Sequence, residues 1–371
     1  MPYSVVDFCC GILYNGENTI LLPKGTEAGM KKHAKGLKIT ACILGGLLLV
    51  YGVLALFPRP NNFTGDNPML QDGEHPILIA HGGGNREFPD NTLEAFYNAY
   101  SVDPRVMMET DVSITKDGVV ILSHDTTLDR KTNVTGAIAD WNYSDLIAQK
   151  VDFGYTNPTS GGVLDGDREH FKGPDGLEKY PVDVVYPDGV DARDETVFLA
   201  TTLEELLTAF PENRINVEIK QDGDLGIAAM EEVLRLLEQY DAFDRVVLAS
   251  FHEELFDRYC ELADAGAVPD TFMFSPAYAS ATAFFVLQML KLDVLYGDPV
   301  CVFQLPTEEL GFNLSTKGMV NAAHKHNLAV HYWTINDEDE MRYLIDIGAD
   351  GIMTDYPHRL QDVYTAYTTT H

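Results

Sequence analysis

Cysteine and positive charge are what this chain has least of. Five cysteines in 371 residues, none at a Cys-x-x-Cys or Cys/His spacing, exclude a disulfide-built scaffold and a zinc module. Cys9 and Cys10 fall in the N-terminal tail and Cys42 in an apolar run, which leaves Cys260 and Cys301 either to pair in an oxidising exterior or to remain buried thiols. Lysine and arginine number 26 against 57 acidic residues, a formal net charge of −31. A surface so acidic excludes nucleic-acid binding, because phosphates demand a basic patch. It also repels anionic small molecules at long range, so an anionic ligand has to be captured by a few local cations.

Long apolar runs are scarce as well. Residues 39–57 carry no charge and have about the length of a membrane-crossing helix. Lys31, Lys32, Lys35 and Lys38 precede the run and Arg59 alone follows it closely. That bias predicts a single-pass membrane protein with residues 1–38 as a cytoplasmic tail and the large domain after the run outside. A cleaved signal peptide is the competing reading, but 38 residues are too many to precede its apolar core. Of the 26 basic and 57 acidic residues, five lysines and three acids lie in residues 1–57, leaving 21 against 54, or −33, beyond. Residues 58–75 read as a linker and 76–371 as one large domain.

What that domain contains is a set of histidines and acids at strand-like positions. Ile77-Leu78-Ile79-Ala80-His81 is an apolar run broken by Gly82-Gly83-Gly84, which reads as a buried strand emptying into a loop. In Val106-Met107-Met108-Glu109-Thr110-Asp111 the period of two sends Glu109 and Asp111 to one side of a sheet. Two like charges so close repel, and hard oxygen ligands there suit Mg²⁺ or Ca²⁺ rather than zinc. Lys116-Asp117-Gly118 makes a turn, and Val119 to His124 runs back as a hairpin partner. In Ile215-Asn216-Val217-Glu218-Ile219-Lys220 the same alternation puts Glu218, a third carboxylate for the metal, beside Lys220, a cation for a phosphate oxygen. His81 and His124 with these acids form a pattern suited to metal-assisted acid–base cleavage of a phosphodiester.

His81-Gly82-Gly83, Pro89 to Phe96, Glu109-Thr110-Asp111, His124-Asp125, Glu218-Ile219-Lys220 and Trp333-Thr334-Ile335-Asn336 occur in an order and spacing that resembles the glycerophosphodiester phosphodiesterases. The resemblance runs from about residue 77 to the end. It implies a TIM barrel with His81 and His124 as acid–base pair, Glu109, Asp111 and Glu218 as ligands of one divalent cation, Lys220 near the phosphate and Trp333 against the glycerol. Two positions depart from the family pattern: Gly82 stands where an arginine usually follows the first histidine, and Asp90 where glutamate is usual. Arg86, in the same loop, is the residue that would reach back to the phosphate.

The barrel is also readable without the family. Strand-like runs ending near His81, Asp111, Lys220, Ser250, Phe274, Phe303, Trp333 and Thr354 alternate with helical periodicity, clearest over 92–101, 225–240, 254–265 and 338–347. Asn91 reads as the N-cap of the first of these. A long insertion, about 113–214, follows the second strand, and its Gly-, Pro- and Asp-rich middle predicts ordered loops that act as lid and specificity element. Asp165-Gly166-Asp167 lacks the full spacing of a calcium loop. His324, His326 and His331 lack a partner pattern and read as structural or surface residues. The expected reaction is metal-dependent hydrolysis of glycerophosphodiesters to glycerol 3-phosphate and an alcohol. Alternatives are a lipid-directed phosphodiesterase acting on lysophospholipids, and a membrane-anchored phosphodiester-binding protein without turnover, for which Gly82 is the best argument.

Overall fold

The computed structural model describes residues 13–14, 20–21, 26–71, 73–154 and 198–370. The Asp165-Gly166-Asp167 segment and most of the middle of the insertion lie outside the described residues. The chain divides into two units, Met1–Pro58 and Arg59–His371. The first carries a helix over Thr26–Leu56, whose segment Leu37–Leu56 is long and apolar enough to cross a membrane. Its described side chains are largely exposed.

In the second unit, eight parallel strands form one sheet: β1 (Ile77–Ala80), β2 (Met107–Ile114), β3 (Ile215–Ile219), β4 (Val246–Ala249), β5 (Met273–Ser275), β6 (Val302–Leu305), β7 (Ala329–Tyr332) and β8 (Gly351–Thr354). They are hydrogen-bonded in the order β5-β4-β3-β2-β1-β8-β7-β6. The seam between the two end strands is bridged by the Cys301 N–H, which donates to the Phe274 carbonyl at 3.3 Å, so the sheet curls into a nearly closed TIM barrel. Among the described residues a helix follows each strand, from Leu93–Val102 after β1 to Pro357–Thr370 after β8. Cys260 and Cys301 are both free thiols, and the pairing considered from sequence is not made: Cys301 is buried and turns its Sγ to the Phe274 carbonyl at 3.7 Å.

Strand alternation divides each strand's residues between two cores. Leu78, Ala80, Met108, Val112, Val217 and Leu248 face the helices, and Ile77, Ile79, Met107, Val247, Met273, Val302, Ala329 and Met353 fill the barrel interior. Within the stretch 58–75, which reads as a linker in sequence, Phe63 and Met69 are buried in the interior cluster. Asn67 fixes this stretch, its Nδ2 donating to the carbonyls of Cys301 (2.7 Å) and Asn327 (2.8 Å) at the feet of β6 and β7.

After β2 the chain turns into a short strand, Val120–Leu122, paired antiparallel with Val112–Ile114 as the hairpin reading predicts. The described part of the insertion has its own small core of Ile121, Leu128, Ile138, Leu146, Val151, Phe153 and Ala200. Helix Leu203–Ala209 returns to the barrel, begun by a capping box between Thr202 and Glu205.

Candidate active site

Inward-pointing positions above the apolar interior become polar at the strands' C-terminal ends. Register places Glu109 opposite Asn216 and Asp111 opposite Glu218 on β2 and β3, so one pair of neighbouring strands brings three carboxylates together. Ligand oxygens of Glu109, Asp111 and Glu218 all lie within 4.8 Å of one another. Burial, together with the Asp111 charge, pushes the Glu109 carboxyl up to about 8, although the Gly82 N–H donates to its Oε2 at 2.7 Å. Burial also raises Glu218. Asp111 is lowered despite burial, because Lys220, His124, His81 and the Asn91 amide surround it with positive potential. Lys220 Nζ lies 2.5 Å from Glu218 and 3.0 Å from Asp111, one ammonium spread over two acids. Three carboxylates, two buried and one half-buried, with too little counter-charge and only oxygen donors fit a hard divalent cation. The buried Oδ1 of Asn216, beside Glu109, has no hydrogen-bond partner among the described residues and fits the same donor set.

Asn91 belongs to this site and not, as its sequence context suggests, to the helix cap. Thr92 is the N-cap of Leu93–Val102 and accepts from the Ala95 N–H. Asn91 sits one residue earlier with φ +59°, outside the extended region a capping residue takes. Its Oδ1 accepts from the Asp111 N–H at 3.0 Å and from the Thr110 hydroxyl at 2.7 Å, and its Nδ2 donates to Asp111 Oδ2 at 3.0 Å.

Both histidines have Nδ1 held by an aspartate, leaving Nε2 for a ligand. His81 Nδ1 is 2.7 Å from Asp355, whose other oxygen accepts from Asn336 Nδ2 at 2.7 Å. Burial works against a charge on this ring, but Asp355, Glu109 and Asp111 outweigh it and raise His81 to about 9. His124 Nδ1 is 3.0 Å from Asp125, which a two-pronged Arg130 contact at 2.6 and 2.9 Å keeps ionised. The Ser123 N–H donates to the Asp111 carbonyl at 2.8 Å and thereby ties the hairpin end carrying His124 to the acid cluster.

His81, His124, Glu109, Glu218, Lys220 and Trp333 line one cavity of about 230 Å³. Phe251 completes its apolar side, its ring 6.1 Å from that of Trp333 and nearly perpendicular to it. Arg86 is not in that wall: its Nε lies 3.9 Å from Asp355, behind His81. A larger cavity, about 550 Å³, opens at the opposite end of the barrel among His75, Arg105 and Arg214, away from the carboxylate cluster. Gly82 has φ +55°, and a Cβ there would lie 2.8 Å from that of Asp90, which pairs with Lys131. A side chain at position 82 is therefore incompatible with this loop path.

A sequence model of the glycerophosphoryl diester phosphodiesterase family matches residues 81–359. The chain belongs to this family. Its activity is that of a phosphodiesterase on glycerophosphodiesters. The phosphodiesterase is 28% identical over 316 residues to probable glycerophosphodiester phosphodiesterase 2 of Mycobacterium tuberculosis, covering 80% of this chain and 97% of that one. It is 26% identical to the lysophospholipase D GDPD1 of Mus musculus, over 76% and 84% of the two chains. Its fold matches the glycerophosphoryl diester phosphodiesterase domain of an uncharacterized Mycobacterium tuberculosis protein (TM-score 0.54, 19% identity, 78% and 98% covered). It also matches an Oleispira antarctica phosphodiesterase in complex with the product sn-glycerol-3-phosphate (TM-score 0.53, 20% identity, 78% and 97% covered).

Reasoning from sequence overlooked Asp355, although alternation from Met353 carries that position to the same inner face. It also assigned no role to Asn216 and Gln304, which line the cavity.

Proposed function

We propose that the phosphodiesterase hydrolyses glycerophosphodiesters to glycerol 3-phosphate and an alcohol with His81 and His124 as acid and base. The observation that carries this reading is the pair of imidazoles, each oriented through Nδ1 by an aspartate, on the wall of the cavity that holds the three-carboxylate cluster. Glu109, Asp111 and Glu218 would hold one divalent cation, Mg²⁺ or Ca²⁺. That ion supplies neutralisation of the phosphodiester and a lowered pKa for a glycerol hydroxyl beside phosphorus. One histidine Nε2 takes the hydroxyl proton as the alkoxide attacks phosphorus in line. The other gives its proton to the departing alcohol oxygen, and water hydrolyses the cyclic phosphate with the roles reversed. Lys220, whose Nζ lies at the acid cluster on the cavity wall, would offer its charge to a phosphate oxygen. Trp333 and Phe251 offer apolar surface to the glycerol, and Arg86 acts through Asp355 and His81 rather than on the phosphate.

Lysophospholipids are the second substrate class. The half-exposed Phe251 ring on the cavity wall favours them, as does similarity to a relative named a lysophospholipase D. Residues 39–57 anchor the chain, with the catalytic domain outside and the tail in the cytoplasm. Turnover of glycerophosphocholine against lysophosphatidylcholine, with EDTA and with Mg²⁺ or Ca²⁺ restored, tests these assignments. Wild-type turnover by His81→Ala or His124→Ala would remove that histidine from the mechanism, and turnover undiminished by chelation would remove the cation.

A further inference from the structure

The helix Tyr278–Met289 differs from the other outer helices. In a unit of net charge −33, the stretch from Ser275 through Leu290 contains no charged residue. Other outer helices carry acids and arginines on their outer faces, as Arg235 and Glu232 on Gly223–Gln239 and Arg258 and Glu261 on Glu253–Asp264. Phe284 and Gln288 are buried against the barrel, whereas Ala279, Thr282, Ala283, Val286 and Met289 form an exposed face at helical spacing. That face continues beyond the helix at both ends.

At the upper end it reaches the active-site mouth. Pro276, two residues before Tyr278, lines the catalytic cavity, and Phe285 meets Phe312 edge-on, with ring centroids 6.0 Å apart. Phe312 follows the tip of a two-residue hairpin between Glu308–Glu309 and Phe312–Asn313, and the tip residues Leu310 and Gly311 have φ +50° and +80°. Such turns ordinarily take asparagine, aspartate or glycine. Here a leucine, 82% exposed, occupies the left-handed position. At the lower end Leu290 and Leu295 are also more than half exposed. Between them lies Asp293, which accepts from Arg59 Nε at 2.7 Å and Nη2 at 2.8 Å. Arg59 is three residues beyond Leu56, the end of the apolar helix, a span of roughly 10 Å at full extension.

We propose that this face, from Leu295 along the helix to Leu310 and Phe312, rests on the surface of the lipid bilayer that the apolar helix enters, so that the mouth of the active site opens at the membrane. The occupant follows from the covalent path. Whatever surface residues 39–57 emerge from lies within a few residues' reach of the foot of this face. Along Ser275 to Leu290 the absence of charge removes the desolvation penalty that the rest of the acidic unit would meet there, and the exposed charges of Lys291 and Glu308 flank the face at its two ends. The inference rests on the anchor reading and goes beyond it by naming the surface the catalytic unit presents.

The test uses the full chain in phosphatidylcholine vesicles whose acyl chains are brominated near the headgroup. Tryptophan is placed by Val286→Trp or Leu310→Trp, with Glu231→Trp on another outer helix as control, and emission is compared with that of the parent chain. The inference expects loss of the added emission at 286 and 310 and none at 231. A second arm pairs Val286→Asp with Met289→Asp. Turnover of vesicle-borne lysophosphatidylcholine should fall roughly tenfold, the effect of losing about one buried apolar side chain, with soluble glycerophosphocholine turnover unchanged. Chains that float with the vesicles but show no quenching at 286 and 310 overturn the docked face and leave the anchor intact. Chains that do not float overturn both. Quenching absent together with concentration-dependent dimerisation that V286D/M289D abolishes assigns the face to a second copy of the chain and overturns the proposal.

Discussion

Glu109 shows how single residues at this site work against the stability of the unliganded fold. It is buried under the Gly82 N–H, beside two other carboxylates, and its raised pKa means that ionising it without a cation is costly. Glu109→Gln should therefore raise the thermal midpoint of the metal-free protein and, on the proposed cation site, remove most of the stabilisation that Mg²⁺ or Ca²⁺ would give the parent, about 2.7 kcal/mol at a hundredfold excess over Kd. Calorimetry with and without metal reads both effects. In the proposed mechanism Asp355 would act on the substrate only through His81, as a positioning residue. Asp355→Asn should lower kcat about 10–100-fold with little change in KM. Because Asp355 raises the His81 pKa, its loss should also shift the His81 limb of the pH–rate profile to lower pH. Gly82→Arg, the residue usual in the family, should not improve turnover here, since its Cβ meets that of Asp90 and its φ is left-handed. A loss of about 1–3 kcal/mol in urea unfolding is expected.

At the scale of elements, the site depends on where strands and helices stop. Asp337 caps Glu338–Ile347 and accepts from the N–H groups of Asp339 and Glu340, both at 3.0 Å. Asn336, immediately before it, bonds Asp355 and so steadies His81. Asp337→Ala should cost about 1 kcal/mol in urea unfolding and lower kcat as well, whereas Thr316→Ala at the cap of Lys317–His324 should cost a similar amount and leave kcat unchanged. The hairpin after β2 is the second such device. Its antiparallel pairing returns the chain to the barrel mouth, and because side chains alternate, a one-residue slip would turn His124 away from the cavity.

Over the whole molecule two opposing terms dominate. The −33 charge beyond residue 57 repels itself, so the thermal midpoint should rise as monovalent salt increases from ~0.01 M to ~0.15 M, where the Debye length falls from about 30 to about 8 Å. A buried histidine acts in the other direction at low pH. His331 lies inside the barrel, its Nε2 on the Met69 carbonyl at 2.8 Å, and burial holds its pKa below the ordinary value. Below about pH 6.5 the unfolded chain binds a proton there that the folded chain does not, so stability falls with pH until the depressed folded pKa is reached. Unfolding midpoints between ~pH 7.5 and ~pH 5.5 should drop more steeply in the parent than in His331→Gln, by at most about 1.4 kcal/mol per pH unit.

Alternation and apolar periodicity are local properties, and they were enough to determine the eight βα units, the inner face of β2 and β3 that carries Glu109, Asp111, Glu218 and Lys220, and the apolar segment before the barrel. Only the tertiary structure decided the pairings between residues far apart in the chain: Asp355 on His81, Asn91 on Asp111, Arg86 beside Asp355, and Phe63 and Met69, from the stretch 58–75 read as a linker, packed into the barrel interior. The physical reason is that a strand's period fixes which side a residue faces, whereas closure of the barrel fixes which residue it meets. A glycine at position 82 shows the difference: in sequence it is a missing arginine, and in the folded loop it is what lets Asp90 and the turn after β1 approach.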